Sequence, residues 1–271
     1  MTTEPVYFVH ISDTHFGPTA GFSRHGHYPL PCARRVVEII NGLPQRPDFV
    51  IHTGDVTNEP DDDAYRLAAD TFARLEAPIY YVVGNHDTAA GIRRHLAMGP
   101  KQDLDADPDR LSYAFEVKGH RFLVLDARGP DEIDPHGLLP ESQLEVIARE
   151  TGPDGPPLTV FLHYPALAMN SIWMDAHMPV LNGDLLHEAL RRSGCRLRGV
   201  FYGHVHQHMQ NICDGVRYTS TASVFSQFAA WPDDAIVRFD PDEPPGYSFV
   251  HLLPEQTIVH HHSFPRPVTD G

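Results

Sequence analysis

Short apolar runs alternate with amphipathic stretches in the first half of the chain. The runs Val6–Ile11, Phe49–His52 and Pro78–Val83 are brief and rich in β-branched and aromatic residues, a pattern typical of buried parallel strands. Ala33–Leu43 and Asp61–Glu76 lie between them and have apolar residues at helical spacing. The order strand, helix, strand, helix, strand predicts a parallel sheet with crossover helices.

The second half of the chain is more mixed, and its pattern predicts a second sheet packed against the first. The predicted elements are a hairpin of Leu111–Val117 with His120–Asp126, helices at Pro140–Glu150 and Asp184–Arg192, strands at Leu158–His163 and Gly199–Tyr202, and several strands between Asn211 and His260. The Pro/Gly-rich patches have the composition of surface loops rather than linkers. We therefore expect a single domain over residues 1–271.

Three segments stand apart from this alternation. Residues 165–185, and Asn170–Gly183 in particular, are expected to form a cap. A C-terminal tail is expected from about residue 260, and its run His260–His262 is either a solvated tail or a weak metal-binding tract. The apolar segment Phe225–Trp231 suits a subunit contact, a pocket wall or a buried loop. The sequence is therefore compatible with a homo-oligomer.

Composition narrows the classes of partner. The formal net charge is -15, so the surface repels long nucleic acids, and an anionic substrate must be small or attracted by a local positive charge. No stretch of the sequence is long and apolar enough for a membrane span, and no signal peptide is evident. Three widely spaced cysteines, Cys32, Cys195 and Cys213, indicate thiols in a reducing compartment, which favours a cytoplasmic location.

Five short polar motifs stand out, and four of them directly follow a predicted strand. They are Asp13-Thr-His15, Gly54-Asp55, Gly84-Asn85-His86-Asp87, His163 and Gly203-His204-Val205-His206. Ligands bind beyond the carboxyl ends of the strands in an open α/β sheet, so the motifs are expected to meet at one rim. Each motif alone has an ordinary interpretation as a turn or an interior histidine, whereas the combination points to a shared site.

The residue types suit metal ions. Imidazole and carboxylate groups bind Zn, Mn and Fe well, and the absence of cysteine from the motifs argues against a structural zinc site. Glycines at positions 54, 84 and 203 would relieve crowding where the backbone turns beside the ions.

The motif set D-x-H, G-D, G-N-H-D, H and G-H-x-H resembles that of the calcineurin-like metallophosphoesterases over Val6 to about Ala222. Softer features, namely chain length, Trp173-Met-Asp175 and Leu181-Asn182-Gly183, are most similar to class III cyclic-nucleotide phosphodiesterases and glycerophosphodiesterases. The resemblance implies an α/β fold, a four-layer α-β-β-α sandwich of two mixed sheets flanked by helices.

The resemblance also implies a binuclear centre of divalent or trivalent ions, with Fe, Mn, Zn and Co as candidates. Asp13, His15, Asp55 and His206 would hold one ion, and Asp55, Asn85, His163 and His204 the other. His86 would face the scissile phosphate instead of binding metal, and Asp87 would orient its ring. His208 would support the ligands from behind, face the substrate or be an exposed strand residue. Tyr164-Pro165-Ala166 departs from the histidine and paired prolines of many relatives, and Tyr164 is not an expected ligand.

The leading hypothesis is the hydrolysis of small phosphodiesters, such as cyclic nucleotides or glycerophosphodiester-like compounds, by a metal-bound hydroxide. A phosphomonoesterase, a nuclease or a phosphonate-ester hydrolase would use the same ligands, although the negative surface disfavours a nuclease on long polymers. Two hypotheses of other classes are a non-catalytic scaffold with this fold and a histidine-rich metal-storage protein.

Overall fold

The computed structural model describes residues 4–192 and 196–268, so Cys195 lies outside the described residues. The strands are β1 (Val6–Ile11), β2 (Phe49–His52), β3 (Ile79–Tyr81), β4 (Gln102–Asp103), β5 (Tyr113–Val117), β6 (His120–Val124), β7 (Leu158–Phe161), β8 (Leu197–Tyr202), β9 (Gln210–Cys213), β10 (Val216–Ser220), β11 (Gln227–Ala229), β12 (Arg238–Asp240), β13 (Gly246–Leu252) and β14 (Thr257–Ser263). The helices are α1 (Pro29–Asn41), α2 (Asp62–Phe72), α3 (Ala89–His95), α4 (Glu141–Glu150), α5 (Ile172–His177) and α6 (Gly183–Arg192).

The first sheet has five strands in the order β14-β13-β1-β2-β3. Strands β1, β2 and β3 are parallel, with α1 and α2 as the crossovers, so the predicted strand–helix series is confirmed. Proline at the start of α1 fits a first-turn position, and the Asp61 side chain accepts from the amides of Asp63 and Ala64 to cap α2. Strand β13 returns from the end of the chain and pairs antiparallel with β1.

The second sheet has seven strands in the order β4-β5-β6-β7-β8-β10-β9. Its centre from β6 to β10 is parallel, and both of its edges are antiparallel, so this sheet is mixed like the first. The predicted hairpin around Lys118-Gly119 is present, and both residues have positive φ, as a tight two-residue turn requires. Strands β11 and β12 form a separate two-stranded ribbon.

Alternation along the strands sorts the apolar side chains into two layers of core. Phe8 of the first sheet packs edge-on against Phe122, Phe161 and Phe201 of the second, with ring centroids 5.3–6.2 Å apart. The intervening positions of the second sheet face the other way, into a separate core with α4 and α6; they are Leu123, Val160, Leu162, Val200 and Tyr202. With α1 and α2 buried against the first sheet, the predicted four-layer sandwich is confirmed.

Two expectations differ from the structure. The segment from residue 260 is part of an edge strand, because β14 pairs with β13 along its whole length, although His260, His261 and His262 are exposed as in a solvated tail. Helix α3 was not expected from the sequence, since its seven residues are too few to show helical periodicity. None of the described helices combines the length and the apolar character needed to cross a bilayer.

Candidate metal centre

Five of the seven predicted ligands have a left-handed backbone, which is uncommon for residues other than glycine. The φ angles are 56° for Asp13, 45° for His15, 55° for Asp55, 68° for His204 and 47° for His206. Hydrogen bonds between neighbouring loops stabilise this conformation, because the amides of Asp13 and His15 donate to the carbonyls of Gly54 and Asp55 at 3.0 Å. The loops after β1 and β2 therefore hold each other at the sheet edge.

Glycine is required where these loops approach most closely. A Cβ atom on Gly84 would lie 2.1 Å from an Asp55 carboxylate oxygen, and one on Gly203 would lie 2.0 Å from Ser12 Oγ. The predicted role of these glycines in relieving crowding is therefore supported by the geometry. The space beside these two glycines is filled by the side chains of Asp55 and Ser12.

The described residues place the predicted ligands in two adjoining groups, Asp13–His15–His206 and Asp55–His163–His204, with the ligand atoms of each group within 4.8 Å of one another. His206 Nε2 lies 3.3 Å from Asp13 Oδ1, and His15 Nε2 lies 3.6 Å from Asp55 Oδ2. Asp55 Oδ1 lies 3.4 Å from His163 Nε2, so the two oxygens of Asp55 face different groups. We call these side chains, with Asn85, the ligand rim.

Main-chain carbonyls orient two of the imidazoles. His163 Nδ1 is 2.7 Å from the carbonyl of Thr53, and His206 Nδ1 is 2.8 Å from that of Ser226. Each ring can donate its Nδ1–H there, so that in the neutral ring the Nε2 lone pair points into the cluster. His204 Nε2 is buried without a hydrogen-bond partner among the described residues. An unpaired buried nitrogen beside Asp55 and His163 is what a metal ion would satisfy, so these residues fit a metal.

The electrostatics of the cluster favour cations. Burial lowers the pKa of His15 and His204 well below the ordinary histidine value, so both rings are neutral. Burial acts against charge on His163 as well, but the Asp55 carboxylate raises the pKa of His163 to about 9. His163 keeps the pKa of Asp55 well below its usual range, against the effect of burial. An ion binding at this group must therefore displace a proton from His163.

Asn85 and His86 are half-buried beside the two ligand groups. Asn85 Oδ1 is 3.3 Å from His163 Nε2, and its place in the second ligand set stays a prediction. The His86 amide donates to Asp55 Oδ1 at 3.0 Å, and its ring centroid lies 4.9 Å from that of His15. His86 also forms a third possible ligand group with His15 and Asp55. Its assignment as a substrate-facing residue stays a prediction.

The Asp87 carboxylate contacts main-chain amides, and the described contacts do not bring it to the His86 ring. Its carboxylate accepts from the amides of Val56 and Thr57 at 3.1 Å, and from that of Gly84 at 3.2 Å. Burial and the charge of Asp55 raise the pKa of Asp87 to about 6. Asp87 therefore fastens the loops after β2 and β3 together.

The group that orients the His86 ring is the carbonyl of Asn58, 2.7 Å from His86 Nδ1. The adjacent Asp87 side chain is turned into the interior, where it is fully buried. Asn58 was not singled out from the sequence, because a main-chain acceptor leaves no signature in residue type.

A cavity of about 300 Å³ opens onto the ligand rim. Its lining also includes four half-buried apolar side chains, which we call the cavity wall: Trp173, Phe228, Val237 and Phe239. Phe228 stacks on His206 of the rim, with ring centroids 4.5 Å apart. Trp173 belongs to the predicted cap segment, and Phe228 to the apolar segment that was expected to form a pocket wall, a subunit contact or a buried loop. Both segments thus supply part of the cavity lining.

His208 is placed outside this cavity. It lies exposed between β8 and β9, where Nδ1 accepts from the Ala222 amide at 3.1 Å and the ring packs 4.3 Å from His261. It lines a neighbouring pocket that shares His206 and Phe228 with this cavity. The substrate-facing role of His208 stays a prediction.

Tyr164 is buried beside the rim. Its ring centroid lies 4.9 Å from those of both His163 and His204, so it packs against two predicted ligands without being one. Tyr164 thus packs around the predicted ligands and replaces none of them.

Sequence reasoning missed Arg24, which lines the cavity next to His15. Its Nη1 atom is 3.0 Å from His15 Nδ1 and 2.6 Å from Asn58 Oδ1. The available signal was positional, because Arg24 lies in the loop that directly follows Asp13-Thr-His15 and so leaves the sheet at the same rim.

Comparison with known proteins agrees with this geometry. The model of the calcineurin-like phosphoesterase family matches residues 6–208. The chain belongs to this family. All five motifs of the calcineurin-like phosphoesterase pattern fall inside the matched range.

Curated relatives of this phosphoesterase match over nearly its whole length. A glycerophosphodiester phosphodiesterase of Enterobacter lignolyticus is 27% identical over 94% of the chain and 90% of the relative. A 3',5'-cyclic adenosine monophosphate phosphodiesterase of Pseudomonas aeruginosa is 28% identical over 93% of the chain and 87% of the relative. A cAMP/cGMP dual specificity phosphodiesterase of Mycobacterium tuberculosis is 28% identical over 93% of the chain and 77% of the relative.

Solved structures support the fold of the phosphoesterase. A dimetal phosphatase from Danio rerio superposes with a TM-score of 0.65 at 18% identity, covering 94% of this chain and 98% of that one. GAP50, the anchor in the inner membrane complex of Plasmodium, superposes with a TM-score of 0.56 at 12% identity, covering 98% and 90%. At these identities the likeness concerns the architecture alone.

Proposed function

We propose that this protein is a binuclear metal-dependent phosphodiesterase that acts on small diesters of the cyclic-nucleotide or glycerophosphodiester kind. The observation that carries the proposal is the pair of ligand groups joined by Asp55, with the unpaired Nε2 of His204 in one of them. The phosphodiesterase activities in the names of relatives from three organisms support the choice of diesters.

The residues of the rim would divide between two ions. Asp13, His15 and His206 would hold one, Asn85, His163 and His204 the other, and Asp55 both. When bound, two such ions polarise phosphoryl oxygens and make water nucleophilic near neutral pH. Fe, Mn, Zn and Co all suit a shell of imidazole, carboxylate and amide groups, so the availability of each metal in the cell decides which is bound.

The protein's own contribution centres on His86. The Asn58 carbonyl fixes His86 Nδ1 as the donor to the main chain, so Nε2 is the nitrogen left for substrate. With the ring protonated, Nε2–H donates to a phosphate oxygen and can pass a proton to the leaving oxygen. The cavity wall adjoins the rim at His206, where it would exclude water and hold the leaving group in place.

Two other activities use the same site. A phosphomonoesterase or a phosphonate-ester hydrolase would need the same ligands, and the cavity admits either substrate by size. A non-catalytic scaffold is the candidate of another class, and the resemblance to GAP50 shows that the fold is not tied to one role. All seven predicted ligands are present and lie close together, which favours an enzyme.

The cell compartment is also part of the proposal. The two described cysteines are free thiols, and Cys32 is buried, which suits a reducing compartment such as the cytoplasm. Detection of the protein outside the cytoplasm by fractionation would refute this assignment.

The deciding experiment is a substrate panel on metal-defined protein. Protein stripped of metal and reloaded separately with Mn, Fe, Zn or Co would be assayed with bis(p-nitrophenyl) phosphate, p-nitrophenyl phosphate, cyclic AMP, glycerophosphoethanolamine and a phosphonate monoester. We expect hydrolysis of the diesters at a higher kcat/KM than the monoester, and only after reloading. No turnover of any phosphoester by protein that has taken up two ions would reject the enzyme in favour of the scaffold.

A further inference from the structure

The environment of His15 differs from that of the other oriented imidazoles. The Nδ1 atoms of His163 and His206 face main-chain carbonyls, which can only accept. His15 Nδ1 faces Arg24 Nη1 at 3.0 Å, and a guanidinium can only donate. This contact therefore requires a lone pair on His15 Nδ1.

A neutral imidazole has one nitrogen lone pair, so the contact with Arg24 places the proton of His15 on Nε2. Nε2 is the His15 nitrogen that lies 3.1 Å from His206 Nε2 and faces the ligand rim. Ligation through Nε2 moves the proton to Nδ1, where it confronts another donor. The Arg24–His15 hydrogen bond is thus incompatible with a ligating His15, and Arg24 must find another acceptor.

Arg24 remains tethered when that bond is lost. Asn58 Oδ1 accepts from Nη1 at 2.6 Å, and His25 Nε2 accepts from Nε at 2.9 Å. Arg24 is the one arginine or lysine among the described residues that line the cavity. It is half-buried, so its unpaired N–H groups face a partly desolvated space in which an anion is their natural partner.

We propose that Arg24 binds the phosphate group of the substrate and that Asn58 is its positioning residue. This inference rests on the proposed function, because it assigns one more contact at the same site. Asn58 would then serve both substrate-facing groups, since its carbonyl holds His86 and its side chain holds Arg24. The local positive charge that an acidic protein needs for an anionic substrate would come partly from this side chain.

The test compares wild-type protein with Arg24→Met and Arg24→Lys after loading with Mn. Orthophosphate affinity by calorimetry, diester kinetics and metal content would be measured for each. Arg24→Met should weaken orthophosphate binding and raise KM about 10- to 100-fold, the effect of losing a hydrogen bond to a charged group, with kcat and metal content little changed. Arg24→Lys should recover part of the affinity, and Asn58→Ala should cause a smaller loss in the same direction.

Arg46→Met is the matched control. Arg46 is exposed, pairs with Glu76 at 3.0 Å and precedes β2, at the sheet edge opposite the rim. Unchanged orthophosphate affinity in Arg24→Met, or an equal loss in Arg46→Met, would overturn the role of Arg24. Loaded wild-type protein that binds orthophosphate but hydrolyses no ester would instead reject the proposed function, and the binding data would still decide on Arg24.

An independent observation points to a second metal site that shares no residue with the rim. His187 of α6, Cys213 at the end of β9 and Asp214 in the following turn place their ligand atoms within 4.8 Å of one another. His187 Nε2 lies 3.4 Å from Asp214 Oδ2, and His187 Nδ1 lies 2.9 Å from the hydroxyl of Tyr218. The Tyr218 contact can take the Nδ1–H of His187 and leave Nε2 free for an ion, as in known metal sites.

We infer that these three side chains bind a zinc-like divalent cation, with water completing a tetrahedral shell. Thiolate, imidazole and carboxylate together are typical zinc ligands, and none of the ligands of the rim is a cysteine. The ion would fasten α6 to the β9–β10 turn, which is formed by Asp214 and Gly215, both at positive φ.

The absorption spectrum of bound Co²⁺ distinguishes this site from the rim, because only a thiolate ligand gives a near-ultraviolet sulfur-to-cobalt charge-transfer band. Metal-free protein titrated with Co²⁺ should develop this band and take up one equivalent more than Cys213→Ser, which should lack the band. Asp214→Asn, which keeps a residue that tolerates positive φ, should weaken the extra equivalent. Cys32→Ser should behave as wild type. No band in wild-type protein at saturation, or the same band in Cys213→Ser, would refute the site.

Discussion

The ligand rim and the cavity wall line the same cavity but are built differently. Asp13 and His163 of the rim are fully buried, and its loops are bonded to each other through main-chain groups. Trp173 and Phe239 of the wall are half-buried and come from a six-residue helix and a short two-stranded ribbon. We infer from this difference that the rigid rim carries the reaction, while the less buried wall can adjust to leaving groups of different shape.

Removal of the shared carboxylate should have the largest effect. Asp55→Ala takes away the one side chain whose two oxygens face both ligand groups, so metal content should fall and diester hydrolysis should drop to background. Elemental analysis and a chromogenic diester assay would check this. Asp70→Ala, on the exposed face of α2, is the matched control and should leave both unchanged. Full activity of Asp55→Ala after exhaustive chelation would contradict the assignment.

The next effect concerns substrate more than metal. His86→Ala should lower kcat about 10²–10⁴-fold, the usual contribution of a positioned acid–base group, with metal content close to wild type. Single-substrate kinetics with parallel metal analysis would separate the two. If metal were lost together with activity, His86 would be a ligand of the third group rather than a substrate-facing residue.

A backbone substitution tests the packing of the rim. Gly84→Ala would place a Cβ atom 2.1 Å from an Asp55 oxygen, so it should displace that carboxylate and weaken metal affinity about 10–100-fold. Gly21→Ala is the matched control, because its Cβ would meet nothing within 4 Å. Competition with a chromophoric chelator would measure both. Equal affinities in the two variants would show that the rim is more adaptable than this packing implies.

The smallest expected effect belongs to the wall. Trp173→Ala should raise KM on the order of tenfold for diesters with an aromatic leaving group, because a large contact surface is lost. The effect should be weaker for glycerophosphodiesters, and metal content should not change. A fall in metal content would mean that rim and wall are not independent.

The same contrast explains what the sequence predicts. The rim residues follow strands whose apolar pattern is clear, so β1, β2 and the positions of Asp13 and Asp55 could be read from local order. Their left-handed backbone could not, because it depends on hydrogen bonds between loops that are far apart in the chain. The hydrogen bonds of Asp87 could not be predicted for the same reason, since its partners include amides of another loop.

The positions of the wall residues and of their polar neighbours could largely not be predicted from the sequence. Trp173 and Phe228 stand in segments without clear periodicity, and whether they face a cavity or the core is decided by tertiary packing. His208 followed a ligand motif by two residues and was given a role by proximity alone, whereas its ring packs on His261 of β14. Nearness in sequence to a ligand motif is thus weaker evidence for a site residue than a position directly after a strand.

The most direct test of the central claim is anomalous diffraction from crystals of the Mn-loaded protein. The structure predicts two neighbouring peaks, one between Asp13, His15 and His206 and the other between Asp55, His163 and His204. Catalytically competent crystals with no anomalous density between these side chains would contradict the claim.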